Sequence, residues 1–148
     1  MKKFEFLIGN WNLDYKIPKS SFSEPVTGKG SGIFRRALND KYVLFDYEAS
    51  FSTGDKATAH AIFARDEKSN VYRFWWFEDS GNFMSASCNF INETTLFMNW
   101  HNSLLRQTFR KIDDNTVELI MENPDKEGKR ELILEVILKR KIKVDHSS

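Results

Sequence analysis

The sequence predicts an all-β fold, an antiparallel up-and-down β-barrel of about ten strands preceded by a short N-terminal helix or turn. Three observations lead there. Phe accounts for 13 of the 148 residues, with four Trp and four Tyr, and aromatic and β-branched side chains favour the pleated surface of strands. Turn signals rich in Asn, Asp, Ser and Gly recur at intervals of roughly 8 to 12 residues, the spacing of a meander. Between them, apolar and polar residues alternate with a period of two rather than following a helical period.

Each element has its own signal. Lys2 to Ile8 suits a short helix that turns Phe4, Leu7 and Ile8 inward over one barrel mouth. The first strand, 11–18, opens on Trp11, and the second, 26–38, carries Gly28-Lys29-Gly30-Ser31-Gly32 and stops at Asn39-Asp40. In the third, 41–51, Val43, Phe45, Tyr47 and Ala49 share a row opposed by Asp46 and Glu48, so the apolar row faces inward. Ser52-Thr53-Gly54-Asp55 leads to the fourth, 57–66, with His60 and Ile62 on one row, and the turn from Asp66 to Asn70 leads to the fifth, 71–79. There Phe74, Trp76 and Glu78 form an inward row and Trp75 faces out.

The sixth strand, 82–90, follows Asp79-Ser80-Gly81-Asn82 and sets Cys88 between Ala86 and Phe90. After Asn92-Glu93, the seventh and eighth, 94–101 and 104–112, flank Asn102-Ser103 and carry Trp100 and Phe109. Asp113-Asp114-Asn115 precedes the ninth, 116–122, which aligns Val117, Leu119 and Met121. Asn123-Pro124-Asp125 precedes the tenth, 129–141, which aligns Leu132, Leu134, Val136 and Leu138, and the polar residues Asp145 to Ser148 read as an unpaired end. An open meander of this size would expose two edges and its apolar face, and closure removes both. Residues 1–148 suit a single domain.

Composition narrows the function classes. Hydrophobic residues make up 41% and charged residues 29%, a globular balance. The formal net charge is +1, with Lys and Arg dispersed among Asp and Glu, so no field is present to hold nucleic acid. A single cysteine, Cys88, rules out an internal disulfide and a cysteine-rich zinc site and fits a reducing compartment, which makes the cytoplasm the expected location. The start resembles a signal peptide only superficially, because its apolar run is short and interrupted by Glu5. No stretch is long enough to cross a membrane as a helix, and no membrane partner is expected.

Gly9-Asn10-Trp11 is similar to the Gly-x-Trp signature that opens the first strand of lipocalin-like barrels. It is followed by the Gly28 to Gly32 run before Phe34-Arg35-Arg36-Ala37-Leu38, by Tyr42 to Tyr47, and by Arg65-Asp66 leading to Tyr72-Arg73-Phe74-Trp75-Trp76-Phe77-Glu78-Asp79-Ser80-Gly81. Over residues 7 to 141 this order resembles a bacterial lipocalin-like family known only as a domain of unknown function, DUF1579. The resemblance implies a calycin-type barrel with a Trp plugging its base and room for a small molecule. It implies no catalytic motif.

From the residues themselves, the ligand-binding candidates are Tyr47, His60, Phe74, Trp76, Glu78, Trp100 and Phe109. A few polar groups among aromatic rings would orient a small hydrophobic ligand. Alternatively, the Tyr, His and Glu satisfy one another or reach solvent. An enzyme acting on a hydrophobic metabolite, an isomerase or hydrolase, would use His60 or Glu78 as general base. No cofactor or metal is expected, since His60 and His101 lack ligand spacing, and His101 should face solvent beside a turn.

The glycine run precedes a strand rather than a helix, so it suits close packing more than phosphate binding. Arg35-Arg36 and Lys139-Arg140-Lys141 read as solvated faces and edge protection. Cys88 reads as a small buried hydrophobe. Trp75, facing out beside Phe77, offers a surface for a homodimer or another partner, unless cross-strand neighbours cover it.

Overall fold

The structure, a computed structural model, describes residues 1–21, 23–124 and 127–142. Asp145 to Ser148 lie outside the described residues. Ten antiparallel strands run in sequence order around a closed barrel: β1 (Gly9–Ile17), β2 (Val26–Ala37), β3 (Tyr42–Phe51), β4 (Lys56–Asp66), β5 (Val71–Glu78), β6 (Phe83–Asn92), β7 (Thr95–Trp100), β8 (Arg106–Asp113), β9 (Thr116–Pro124) and β10 (Arg130–Arg140). Every predicted strand is present, with no boundary displaced by more than two residues. Closure pairs β10 with β1, setting Trp11 opposite Arg140, Leu13 opposite Leu138 and Tyr15 opposite Val136.

One end of the barrel, the base, is plugged. Lys2–Leu7 forms a 3-10 helix whose Phe4 and Leu7 are fully buried. The Phe4 ring lies 5.0 to 5.1 Å from the rings of Phe63, Tyr72 and Phe90. A helix this short leaves most of its carbonyls without intrahelical partners, and groups from the strands supply them. Trp11 Nε1 donates to Leu7 O at 2.7 Å. Arg140 donates from Nη1 to Ile8 O at 2.7 Å and from Nη2 to Phe6 O at 3.3 Å, while its guanidinium lies 4.3 Å from the Trp11 ring centroid.

Gly9, at φ +134°, makes room for that guanidinium, which a Cβ there would strike. Arg36 donates to Met1 O at 3.3 Å and pairs with Glu5. Arg36 and Arg140 are therefore not solvated strand charges, as their basic runs suggested. They fasten the plug because planar guanidinium forks match exposed carbonyls and a carboxylate.

The interior of β2 is a glycine row. Gly28, Gly30 and Gly32 sit opposite Phe51, Ala49 and Tyr47 of β3. The Phe45 ring lies over Gly32, where a Cβ would come within 2.6 Å of it, and stacks on Phe34 at 3.9 Å. Close packing, not anion binding, accounts for the run.

A facing expectation on β10 fails. The register slips between Leu132 and Leu134, so Leu132 pairs with Glu122 on the outer surface and leaves the row of Leu134, Val136 and Leu138. A bulge inserts one unpaired residue and so reverses the facing beyond it.

Candidate ligand-binding cavity

An eight-stranded barrel is just wide enough for its own side chains to fill, and ten strands enclose more. At the base the surplus is taken by Phe4 and Leu7. Towards the opposite end, the mouth, it is left as a cavity of about 330 Å³. Its wall comes from alternating inward positions: Leu13 and Tyr15 of β1, Phe45 and Tyr47 of β3, Phe74 and Trp76 of β5, Met84 of β6, Trp100 of β7, Gln107 and Phe109 of β8, Leu119 and Met121 of β9, and Leu134, Val136 and Leu138 of β10, with Leu105 just before β8. Strands β2 and β4 contribute nothing to it. Their inward residues here are Gly28, Gly30, Gly32, Ala59 and Ala61, small enough for Phe45 and Tyr47 to spread sideways from the strand between them.

Five of the seven predicted residues, Tyr47, Phe74, Trp76, Trp100 and Phe109, line this cavity together. The rings are arranged edge to face or offset, with Phe74 to Trp100 at 5.4 Å, Trp76 to Trp100 at 6.4 Å and Phe45 to Tyr47 at 4.9 Å. Trp76 Nε1 donates to Tyr47 Oη at 2.8 Å, so two of the polar candidates satisfy each other.

His60 is not in the cavity. It lies on the outer face of β4 directly opposite Asp46, with Nδ1 2.5 Å from Asp46 Oδ1 and its side chain 68% exposed. The sequence placed His60 and Ile62 on one row correctly. The row faces out because Ala59, Ala61 and Phe63 take the interior positions between the large inward side chains of β3 and β5. Glu78 keeps its inward register position, opposite Ala59, but its carboxylate turns to the β5–β6 connection. There it accepts from Ser80 and, at 2.8 Å, from Asn82 Nδ2. The proposed convergence of Tyr47, His60 and Glu78 does not occur.

Alternation had a signal for two residues it did not single out. Tyr15 follows Leu13 on the inward row of β1, and Gln107 precedes Phe109 on that of β8. Gln107 is 5% exposed, and no hydrogen bond reaches its amide among the described residues. The indole N–H of Trp100 is fully buried without a partner among them, whereas the Gln107 amide opens onto the cavity. Burial raises the pKa of both Tyr15 and Tyr47. For Tyr15 the neighbouring Tyr47 adds to the rise. For Tyr47 the Trp76 hydrogen bond opposes it and the charge of Glu78 adds to it. Both hydroxyls are therefore neutral at ordinary pH, and among the described residues the wall holds no carboxylate, amine, imidazole or guanidinium.

Elsewhere the chemistry is quiet. Cys88 is buried at the edge of the plug, and burial pushes its thiol up to about 12. His101 stands exposed at the end of β7 as expected, each ring nitrogen 2.8 Å from a serine hydroxyl, Ser85 and Ser87. No helix among the described residues is long and apolar enough to cross a membrane.

No family model and no curated protein matches the chain. Solved structures do. The S-type phycobiliprotein lyase CPES from Guillardia theta is 9% identical with a TM-score of 0.68, over 97% of this chain and 93% of that one. Rv2717c from M. tuberculosis is 9% identical with a TM-score of 0.64, over 96% and 99%. A redesigned β-barrel, mFAP1, bound to DFHBI, is 11% identical with a TM-score of 0.53, over 95% and 100%. What they share with this chain is the barrel. At such identities the likeness is one of fold, and the resemblance of residues 7 to 141 to DUF1579 likewise reaches the architecture and not a family match.

Proposed function

We propose that this barrel binds a small, largely apolar molecule in the cavity at its mouth, with Phe74, Trp76, Trp100 and Phe109 as walls and Tyr47 as a polar contact. The observation that carries this is a preformed, aromatic-walled cavity of about 330 Å³, within the size range of small-molecule sites and with few polar groups in it. Neighbours of the same architecture support it, since designed barrels of this shape are bound to DFHBI. Binding is favoured over turnover by the wall itself: His60 lies outside it and Glu78 is committed to Ser80 and Asn82. Among the described residues, no general base is left in reach of a ligand.

Native mass spectrometry on protein purified from its own host tests the proposal. The expected result is a stoichiometric small-molecule adduct that disappears in Val136→Trp, which fills the cavity. Wild-type protein with a clean chain mass, and no tryptophan fluorescence change with added aromatic compounds, would overturn it.

A second reading concerns the outer surface. Trp75, Phe77 and Phe83 are 39%, 44% and 74% exposed, and the Phe77 and Phe83 rings lie 6.5 Å apart on paired strands. Such a patch suits a homodimer contact. Sedimentation equilibrium should show a dimer that Trp75→Ser dissociates, and a monomer at high concentration would remove this reading.

A further inference from the structure

Resting on the binding role proposed above, we infer that the cavity takes an uncharged two-ring aromatic molecule bearing a neutral hydrogen-bonding group, a carboxamide or its equivalent, and rejects the carboxylate of the same skeleton. Size comes first. An apolar cavity of about 150 Å³ takes a benzene ring, so the volume of about 330 Å³ found here corresponds to two fused or linked rings. The walls are aromatic on two sides: Phe45 and Tyr47 stack against each other, and Trp76 and Trp100 meet edge to face at 79°. An aromatic ligand can pair with such rings by face or by edge.

Polarity comes next. Gln107 is buried, lines the cavity, and has an amide that meets no partner among the described residues. An amide carries two donors and an acceptor, so the ligand group that completes it must both accept and donate. Tyr47 Oη accepts from Trp76 and keeps its own proton to donate, and the Tyr15 hydroxyl, also in the wall, adds a second neutral donor.

Charge decides between an amide and an acid. None of the described residues that line it is cationic. The formal charge that acts on Tyr47 is the negative one of Glu78, beyond the wall. A carboxylate here would lose its water without gaining a counter-ion, at a cost that neutral donors only partly offset.

Equilibrium dialysis at neutral pH against three probes of one skeleton, naphthalene, 2-naphthamide and 2-naphthoate, tests this on the whole chain. The expected order is 2-naphthamide tighter than naphthalene by about tenfold and tighter than 2-naphthoate by about a hundredfold. In Gln107→Leu, 2-naphthamide should lose most of its advantage over naphthalene. Equal binding of 2-naphthoate and 2-naphthamide would overturn the charge selectivity and leave the binding role standing. Equal binding of naphthalene and 2-naphthamide to the wild type, or a preference undiminished in Gln107→Leu, would overturn the role of Gln107. Retention of none of the three would overturn the binding role itself.

Discussion

Replacing Gln107 by Leu should make the empty protein more stable, the reverse of the usual effect of changing a buried residue. The side chain is 5% exposed on the inward row of β8, between the backbone pairings with Met98 of β7 and Met121 of β9. A fully buried amide without a hydrogen bond costs about 1 to 3 kcal/mol, and the Gln107 amide, which opens onto the cavity, costs the lower part of that range. Leu is similar in length, sits among Leu105, Phe109 and Met121 in the same wall, and carries no polar atom to desolvate. With some loss to imperfect fit, the net gain is at most about 1 kcal/mol, which for a domain of this length raises Tm by up to about 4 °C. Urea unfolding followed by tryptophan fluorescence measures it directly, as a rise in midpoint at unchanged slope. A lower midpoint would show that the amide is already satisfied in the folded protein, and the argument that a ligand completes it would fall with that result.

Three further outcomes follow from the same geometry. Arg140→Ala strips carbonyl partners from Phe6 and Ile8 and uncovers the Trp11 ring, and should cost about 2 to 4 kcal/mol in urea unfolding, with Arg140→Lys recovering only part because an ammonium cannot reach both carbonyls. Gly30→Ala should be worse than Gly32→Ala, since the new Cβ meets the Glu48 carbonyl oxygen at Gly30 but only the movable Phe45 ring at Gly32. About 1 to 3 kcal/mol is expected at Gly32, and more at Gly30, with an equal cost at the two positions telling against the packing described. The folded-state pKa of Tyr15 and of Tyr47 lies above the unfolded value of 10.0, so their neutral forms add stability below pH 10 that is lost as pH rises beyond it; Tyr15→Phe should flatten the alkaline fall in Tm, and an unchanged slope would refute the burial argument.

Strands were legible because their signals are local. Turn residues fix the connections, and period-two alternation fixes which side chains share a row. Which row faces inward is not local, and it was read correctly where charges opposed aromatics, as in β3, where Asp46 and Glu48 leave Phe45 and Tyr47 the interior. On β4 both rows are mild, Ala59, Ala61 and Phe63 against His60 and Ile62, and only the bulk of the neighbouring strands decides between them. His60 was misplaced for that reason. Leu132 was misplaced because a bulge leaves no mark in an alternating run. The roles of Arg36 and Arg140 depend on carbonyls more than 30 and more than 130 residues away in sequence, which no window on the chain contains. Gln107 did leave a mark, a polar residue on an otherwise apolar row beside Phe109, and on an inward strand face that break in pattern points to a site.

The two ends of the barrel handle the same excess of interior volume in opposite ways, and the difference traces to where polar groups find partners. At the base the polar groups that hold the plug are matched: Trp11 by Leu7, Arg140 by Ile8 and Phe6, Arg36 by Met1 and Glu5. Phe4 and Leu7 fill what remains, so the base is a finished core. Towards the mouth the side chains are as large and as apolar, yet Gln107 and the Trp100 indole have no partner among the described residues. Folding alone gains nothing from polar groups left in that state, since each costs about as much as one good hydrogen bond contributes. A bound molecule that supplies the missing acceptor and donors turns that cost into affinity. The unfinished half of the core is thus the half with a reason to remain open.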